Sequence, residues 1–507
     1  MSLKLGMVRG AFSLGGTRLA LSVFAALALV ILARLLTPVD FGIVAIASSI
    51  LSIVQSFTEL SLSNALIHRE KVERSHIDTV WTMAVIRAGL IVAIFSGLAW
   101  PLAQLYAMPQ LVPVFFVSGL TGAIVGLQNP HITLMTKQLR FGPMAAAQFV
   151  QSFLGLVVAI ALAFAFRSYW AIIAGNLLGA LLALVFTYVV APYRPRFSLE
   201  HVGEIWSFSG WIFFKQLCET INWRVDQLII GAIVPKAQLG IYAMADSLAV
   251  IPSRETVHPL RQTLFPGLAN LNGDPTRLRQ ASLRAQATLA MVVAPLGVGL
   301  AVVAEPAVRI VLGEKWMAAV PYVQIAALLY TFGTFSIALQ PIAMALGKTR
   351  ILFLQQAAVL LLKIPLLFVG LSYGGLIGAA LARCFAEFVS MIVEMWATKM
   401  LTGVTIARQA WTHMLTVVAL ATMSLGVYFL HTSLKGTWSD ATMQLALAVP
   451  AGAAIYVSTI AVLWLAAGRP DGPVSELLSV SARIIHAIRS RTTRKGEPAA
   501  AMGESHG

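Results

Sequence analysis

The chain has 507 residues, of which 58% are hydrophobic and 11% are charged, and its mean hydropathy is +0.82. These values exclude an ordinary soluble globular domain and indicate a protein that crosses the membrane many times. The net charge of +15 does not require a nucleic-acid partner, because basic loops on one side of a membrane account for it.

Apolar stretches long enough to cross a bilayer follow one another along the chain. A helix of roughly 20 residues spans the hydrocarbon core, and backbone groups in lipid must find partners within their own structure. The sequence therefore predicts an all-α polytopic membrane protein with about 14 transmembrane helices. The predicted spans are residues 12–36, 41–66, 80–102, 111–134, 143–166, 169–190, 208–234, 239–264, 285–303, 319–346, 351–369, 376–400, 410–430 and 443–466.

The basic residues between these spans are unevenly divided between the two sides of the membrane. With the N-terminus placed inside, the predicted outer segments hold only Arg34, Arg167, Lys236, Arg309, Lys315 and Lys435. Because cytoplasmic loops carry the excess of Lys and Arg, this division predicts that both termini are cytoplasmic. The first apolar stretch has full length, so we expect it to remain as a membrane span rather than to be cleaved as a signal.

Short sequences recur in the same order in the first and second halves of the chain. The segment that begins Gly42-Ile43 returns as one that begins Gly240-Ile241. Likewise 127–130 (Leu-Gln-Asn-Pro) returns as 339–341 (Leu-Gln-Pro), and Ser-Tyr at 168–169 returns at 372–373. Such a repeat predicts two six-helix lobes, residues 1–200 and 201–405, which enter the membrane in the same direction.

Residues after the repeat are predicted to form two further units. Spans 13 and 14 occupy residues 406–468 and lie outside the duplicated part. Residues 469–507 are predicted to be a basic, amphipathic cytoplasmic tail that lies on the anionic inner leaflet.

Charged residues inside predicted spans are costly in lipid and therefore point to function. Lys215, Glu219 and Asp226 fall within an arc of about 40° on one helix, given 100° per residue. Arg383, Glu387 and Glu394 repeat the same spacing on another helix. One interpretation is a polar cavity between the two halves, in which cations hold an anionic group. The alternative is that these charges pair with one another and fix the register of the helices.

Several motifs resemble those of a known family. They are 36–42 (Leu-Thr-Pro-Val-Asp-Phe-Gly), 226–231 (Asp-Gln-Leu-Ile-Ile-Gly), 239–242 (Leu-Gly-Ile-Tyr) and 312–316 (Leu-Gly-Glu-Lys-Trp). Over about residues 10–400 the chain resembles the Wzx-like polysaccharide flippases of the multidrug/oligosaccharidyl-lipid/polysaccharide exporter superfamily. The resemblance implies a bacterial inner-membrane flippase that moves an undecaprenyl-diphosphate-linked oligosaccharide repeat unit by alternating access, for O-antigen or exopolysaccharide synthesis.

The resemblance also sets expectations for partners and energy source. The expected partners are the lipid-linked glycan and membrane lipid, with polymerase and chain-length components of the same pathway as candidates and no nucleic acid. The chain is not expected to be an enzyme, to contain catalytic or metal-binding residues, or to hold a cofactor. Coupling to protons or sodium is the candidate driving force.

Ten intramembrane charges are the candidate site residues. Those predicted to bind the diphosphate or a sugar acid are Arg87, Lys215, Arg254, Arg261 and Arg383. Those predicted to tune release or to couple transport to protons are Glu59, Glu219, Asp226, Asp246 and Glu387.

Two other functions stay open at this stage. An ion-coupled drug or cation antiporter of the same superfamily would need a net acidic cavity, and the numbers of intramembrane acids and bases do not exclude it. A membrane glycan polymerase or ligase would need a sizeable external loop. The largest candidate loop, residues 304–317, is too short for a catalytic domain.

Overall fold

The computed structural model describes residues 21–58, 73–138, 140, 142–202, 210–269, 273–435, 441–469 and 472–475. Its helices before residue 202 are α1 (Leu21–Leu35), α2 (Pro38–Thr58), α3 (Arg74–Leu105), α4 (Leu111–Gly126), α5 (His131–Lys137), α6 (Gly142–Phe166) and α7 (Trp170–Val190). The next helices are α8 (Gly210–Ile233), α9 (Lys236–Ala269), α10 (Pro275–Val302), α11 (Ala304–Val311), a 3₁₀ turn at Glu314–Ala319, α12 (Val320–Phe332) and α13 (Leu339–Ala345). They are followed by α14 (Arg350–Thr402), α15 (Ile406–Thr412), α16 (Met414–Lys435) and α17 (Ala441–Ala466).

These helices confirm the prediction of an all-α polytopic membrane protein. Among the described residues, 8 helices are long and apolar enough to cross a membrane, and no strand is present. The shorter helices α1 and α4 are also apolar. The count of 14 spans and the division into two lobes stay predictions. Most of the predicted basic tail, and residues 59–66 of the second predicted span, lie outside the described residues.

Two predicted spans are each divided into two helices by a break. Predicted span 111–134 consists of α4 and α5, and the chain between them contains Pro130, which has no backbone N–H to continue the helix. The Asn129 side chain fills this break, because its Oδ1 accepts from His131 N at 3.0 Å and its Nδ2 donates to Ala191 O at 2.5 Å. Predicted span 319–346 consists of α12 and α13, which are separated by residues 333–338.

The two predicted spans 351–369 and 376–400 form one long element that reverses direction. Gly375 has φ +55°, a backbone conformation that glycine adopts without strain, and it joins the two arms of α14. A Cβ on Gly370 would overlap the carbonyl oxygen of Gly378, so the arms touch backbone to backbone beside the turn. The hairpin places Lys363 of the first arm and Arg383 of the second near the same neighbours.

The repeated glycines at 42 and 240 touch each other. A Cβ on Gly42 would overlap the carbonyl oxygen of Lys236, and a Cβ on Gly240 would overlap that of Pro38. The contact is reciprocal, because each glycine meets the carbonyl four residues before the other. Backbones this close require residues without side chains, as in small-residue helix crossings in membranes. The first turns of α2 and α9 therefore cross at a point where the two halves of the chain meet.

A second contact between the halves lies beside this crossing. Lys315 Nζ donates to the carbonyl oxygens of Arg34 at 3.0 Å and Leu36 at 2.6 Å, and Trp316 Nε1 donates to Ala33 O at 2.9 Å. These donors satisfy carbonyls that the end of α1 leaves without helical partners. Burial lowers the pKa of the Lys315 ammonium, and the nearby Asp40 carboxylate opposes that shift. The motif at 312–316 therefore acts as a cap for α1.

The segment that follows α7 is fastened to the start of α3. The Tyr193 hydroxyl donates to Asp78 Oδ1, and Ser198 N donates to Thr82 Oγ1 at 3.0 Å. The rings of His76 and His201 stack with centroids 3.8 Å apart. Burial, together with the Asp78 hydrogen bond, raises the pKa of Tyr193 well above its ordinary value. The connection between the halves is thus held on the first half.

Helices α16 and α17 pack together and against α10. Their shared core includes Met423 and Val427 of α16 and Ala448 of α17, which are buried against Ala290. The Tyr456 hydroxyl donates to Met291 O at 2.8 Å, which satisfies its polar group inside an apolar cluster. The pair therefore covers one side of the second half.

The glycine crossing predicts a specific loss of stability. Gly240→Ala should destabilise the folded protein by about 1–3 kcal/mol or more, because the new methyl group overlaps a carbonyl that cannot rotate away. The measurement is the thermal unfolding midpoint of the purified protein in one detergent. The control is Gly89→Ala on α3, whose Cβ would meet no atom within 4 Å. Equal midpoints for the two variants would contradict the prediction.

Candidate functional site

A polar cavity of about 180 Å³ lies among the helices of the second half. Its walls are α8, α12, α13, both arms of α14 and the break between α12 and α13. A cavity of this size and polarity has room for several waters, since one water needs only about 10–15 Å³. The charged and polar residues that line it are Lys215, Glu219, Asn222, Tyr330, Ser336, Gln340, Gln355, Gln356, Lys363, Arg383, Glu387, Ser390 and Glu394.

Helix α8 contributes an ion pair and one amide side chain to the cavity wall. Lys215 and Glu219, one helical turn apart, form an ion pair. The next turn carries Asn222, whose Nδ2 donates to Gln356 O and Oε1, each at 2.9 Å. This is the face that the sequence stripe of Lys215, Glu219 and Asp226 predicts to be polar, and it meets protein and cavity rather than lipid.

Arg383 is the centre of a buried charge network behind the cavity. Its Nε lies 3.1 Å from Asp226 Oδ2, and one terminal nitrogen donates to Asp246 Oδ1 at 2.7 Å. Tyr242 and Tyr330 complete the network: Tyr242 donates to Asp226 at 2.8 Å, and Tyr330 donates to Asp246 at 2.6 Å. The Asp226 side chain is fully buried and that of Arg383 is 6% exposed, so this pairing is dry. We call these five residues the Arg383 network.

Lys363 adds a second buried cation, on the first arm of α14. Its ammonium donates to the carbonyl oxygen of Asn222 and lies 3.9 Å from Asp226 Oδ1. The sequence marks Lys363 as an intramembrane charge but gives it no role, because nothing in the spacing along one helix indicates a partner on another. Buried ammonium groups are stable only when paired and hydrogen-bonded, and both conditions are met here.

Glu394 also lines the cavity, and uncharged donors hold its carboxylate. Its carboxylate accepts from Ser336 Oγ at 2.5 Å, Gln355 Nε2 at 3.1 Å and Ser390 Oγ at 3.4 Å. Sequence reasoning missed these serine and glutamine residues as site residues. Their neutral side chains do not interrupt a hydropathy profile, and only Ser390, one helical turn before Glu394, carries a signal in its spacing.

The predicted site residues fall into four groups. Lys215, Glu219, Glu387 and Arg383 line the cavity, and Asp226 and Asp246 belong to the Arg383 network. Arg87 instead lies on α3, where it donates to Thr58 Oγ1 and Gln55 O, each at 3.2 Å. Glu59 and the side chains of Arg254 and Arg261 lie outside the described residues.

This cavity is enclosed by helices of the second half, and the chamber that the sequence suggests between the halves stays a prediction. In the described residues, α2 packs directly against α8 at this seam. Ser49 Oγ donates to Gln227 Oε1 at 2.7 Å, and the hydroxyls of Ser56 and Thr220 are 2.7 Å apart. These short side chains bring the helices together and leave the space on the other side of α8.

A family model described as polysaccharide biosynthesis protein matches residues 31–321, more than half of the chain. The chain belongs to this family. The match begins in α1 and ends just after the 312–316 motif, so it includes both partners of the contact that caps α1.

Curated relatives from several bacteria match most of the chain. The succinoglycan biosynthesis transport protein ExoT of Rhizobium meliloti is 25% identical over 442 residues, covering 85% of this chain and 87% of that protein. The lipopolysaccharide biosynthesis protein WzxC of Escherichia coli is 23% identical and covers 72% and 75% respectively. The teichuronic acid biosynthesis protein TuaB of Bacillus subtilis is also 23% identical and covers 80% and 84%.

Two solved structures have the same fold as this chain. The lipid II flippase MurJ in an inward closed conformation matches with a TM-score of 0.74 at 15% identity, covering 90% of this chain and 99% of that one. An inward-facing multidrug resistance MATE family transporter of the MOP superfamily matches with a TM-score of 0.64 at 13% identity, covering 78% and 99%. The chain therefore shares the fold of these two multi-pass membrane proteins.

The Arg383 network predicts unequal effects of removing two carboxylates. Asp226→Ala should destabilise the protein by about 3–5 kcal/mol, because it leaves buried cations without a partner. Glu314→Ala should cost less than about 1 kcal/mol, since the Glu314 side chain is 72% exposed and its partner Arg309 is 36% exposed, so water can replace the lost contact. Thermal unfolding of both variants in the same detergent measures the difference, and equal losses would contradict the dry pairing.

Proposed function

We propose that the protein is a flippase that moves an undecaprenyl-diphosphate-linked oligosaccharide repeat unit across the bacterial inner membrane by alternating access. The repeat unit would be destined for O-antigen or exopolysaccharide, and no chemical step would be catalysed. Family membership and the transporter fold support this proposal. In it, both termini are cytoplasmic and the substrate enters from the inner leaflet.

The observation that carries the proposal is the polar cavity between membrane helices. A hydrophilic head group cannot cross hydrocarbon unaided, because each desolvated polar group costs free energy unless the protein replaces its water. The cavity supplies amides, hydroxyls and charged groups at the depth of the spans. A lipid tail could stay in the bilayer while the head group passes through such a site.

The driving force is also part of the proposal. Coupling to a proton or sodium gradient would use carboxylates at the cavity, and Glu219 and Glu387 are candidates because both line it. Asp226 and Asp246 are less suitable, since each is bonded to Arg383 in the described structure.

A second candidate is an ion-coupled drug or cation antiporter. Three carboxylates, Glu219, Glu387 and Glu394, line the cavity beside three cations, Lys215, Lys363 and Arg383. The wall therefore lacks the excess of positive charge that an anionic substrate would favour, and a cationic substrate is the second candidate. The two candidates are separated by asking which molecule accumulates when the protein is absent.

Depletion of the protein is expected to strand its substrate on one side of the membrane. In a bacterium whose surface polysaccharide depends on this protein, depletion should cause lipid-linked repeat units to accumulate on the inner leaflet. Mass spectrometry of the lipid extract identifies the stalled sugar, and protection from an externally added glycosidase locates it. Normal polymer output without accumulation, combined with sensitivity to a cationic drug, would instead support the antiporter.

Complementation tests whether the cavity carries the substrate. Lys215→Ala should lower polymer output by up to about tenfold, because it leaves the Glu219 carboxylate unpaired at the cavity wall. A tenfold loss corresponds to about 1.4 kcal/mol of lost substrate binding. The matched control is Lys399→Ala, an exposed lysine in the last turn of α14 that does not line the cavity. Both variants are compared at equal protein level in the membrane. Equal polymer output from the two variants would show that the substrate does not pass through the cavity.

A further inference from the structure

We infer that the cavity of the second half binds the uncharged, hydroxyl-rich sugar portion of the substrate and not its diphosphate. This inference rests on the proposed function and names the part of the substrate that this site takes. It replaces the expectation that Lys215 and Arg383 bind phosphate here.

The first argument is electrostatic. Each cation that lines the cavity already contacts a carboxylate: Lys215 pairs with Glu219, while Lys363 and Arg383 face Asp226. A diphosphate would have to take Arg383 from two carboxylates in a dry site, or lie beside Glu387 and Glu394 with only cations whose charge is already neutralised. Both are unfavourable, because an anion needs donors that its new site does not already use.

The second argument is the chemistry of the remaining wall. The uncharged polar part of the lining consists of the amides of Asn222, Gln340 and Gln356 and the hydroxyls of Ser336 and Ser390. These groups donate and accept in the way that sugar hydroxyls do. Because a hydroxyl both donates and accepts, it can be satisfied beside a carboxylate such as Glu394, where a phosphate oxygen would be repelled.

The third argument is an aromatic surface at the cavity. Trp223 lines the cavity and is 43% exposed, and its ring lies 5.7 Å from that of Tyr330, which also lines it. Sugar rings carry C–H groups on their faces and hydroxyls around their edges. Aromatic walls with a few placed polar groups are a usual composition for ligand pockets, and this one fits the face and edge of a sugar together.

Binding by three synthetic lipids tests the inference on the full-length protein in nanodiscs. The probes are a bare polyprenyl diphosphate, the same lipid with a neutral hexose disaccharide, and the same lipid with a disaccharide ending in a hexuronic acid. Native mass spectrometry measures their relative affinities. Wild type should bind the neutral glycolipid about tenfold more tightly than the bare lipid. It should bind the hexuronate lipid more weakly than the neutral one.

Two variants separate the sugar from the diphosphate. Trp223→Ala should abolish the gain given by the neutral disaccharide and leave the affinity for the bare lipid unchanged. Trp396→Ala, an exposed tryptophan on α14 that does not line the cavity, should keep the gain. Glu394→Gln should raise the affinity for the hexuronate lipid relative to the neutral one. All variants are first checked for an unfolding midpoint equal to that of wild type.

The outcomes distinguish this inference from the proposed function. If Trp223→Ala weakens the bare lipid as much as the glycolipid, or if wild type does not prefer the glycolipid, the inference is wrong while the flippase proposal stands. If wild type binds none of the three lipids, the proposed function is overturned and the inference with it.

Discussion

The structure depends first on the burial of Arg383 between two carboxylates. A guanidinium inside a membrane protein is stable only when its charge is neutralised and its donors are occupied, and Asp226, Asp246 and two tyrosine hydroxyls do both. The three charged residues belong to α8, α9 and α14. Their pairing therefore fixes the rotation and height of these helices relative to one another. Because α8 and α14 form walls of the cavity, the same pairing fixes the positions of those walls.

The same network separates structural charge from binding chemistry. Arg383 lines the cavity, but the carboxylates of Asp226 and Asp246 already neutralise its charge. What remains at the cavity surface is a wall of amides, hydroxyls, an aromatic pair and the carboxylates of Glu387 and Glu394. A tightly paired guanidinium is a poor ligand for a mobile anion, whereas neutral polar groups can exchange partners with water and with sugar hydroxyls at little cost.

The sequence predicted some features of this arrangement and not others, for physical reasons. Helical spacing placed Lys215 and Glu219 on one face because periodicity depends only on the local helix. It did not pair Asp226 with Arg383, because partners on different helices are set by tertiary packing. The break after α12 was missed because residues 333–338 contain no charge and no proline, and the neutral Ser336 and Gln355 do not interrupt a hydropathy profile. The repeat identified Gly42 and Gly240 as equivalent, but only the packing of α2 on α9 showed that they touch.

The relative strengths of the contacts indicate where alternating access can open the molecule. At the seam, α2 meets α8 through neutral hydrogen bonds such as Ser49 to Gln227, each worth about 0.5–1.5 kcal/mol net. Separating Arg383 from Asp226 would cost about 3–5 kcal/mol and would leave charges in a dry site. If the halves move apart during the proposed transport, we expect the hydrogen bonds between α2 and α8 to break and the Arg383 network to stay intact. In that case α8, α9 and α14 move as one body, and the cavity keeps its walls while its access changes.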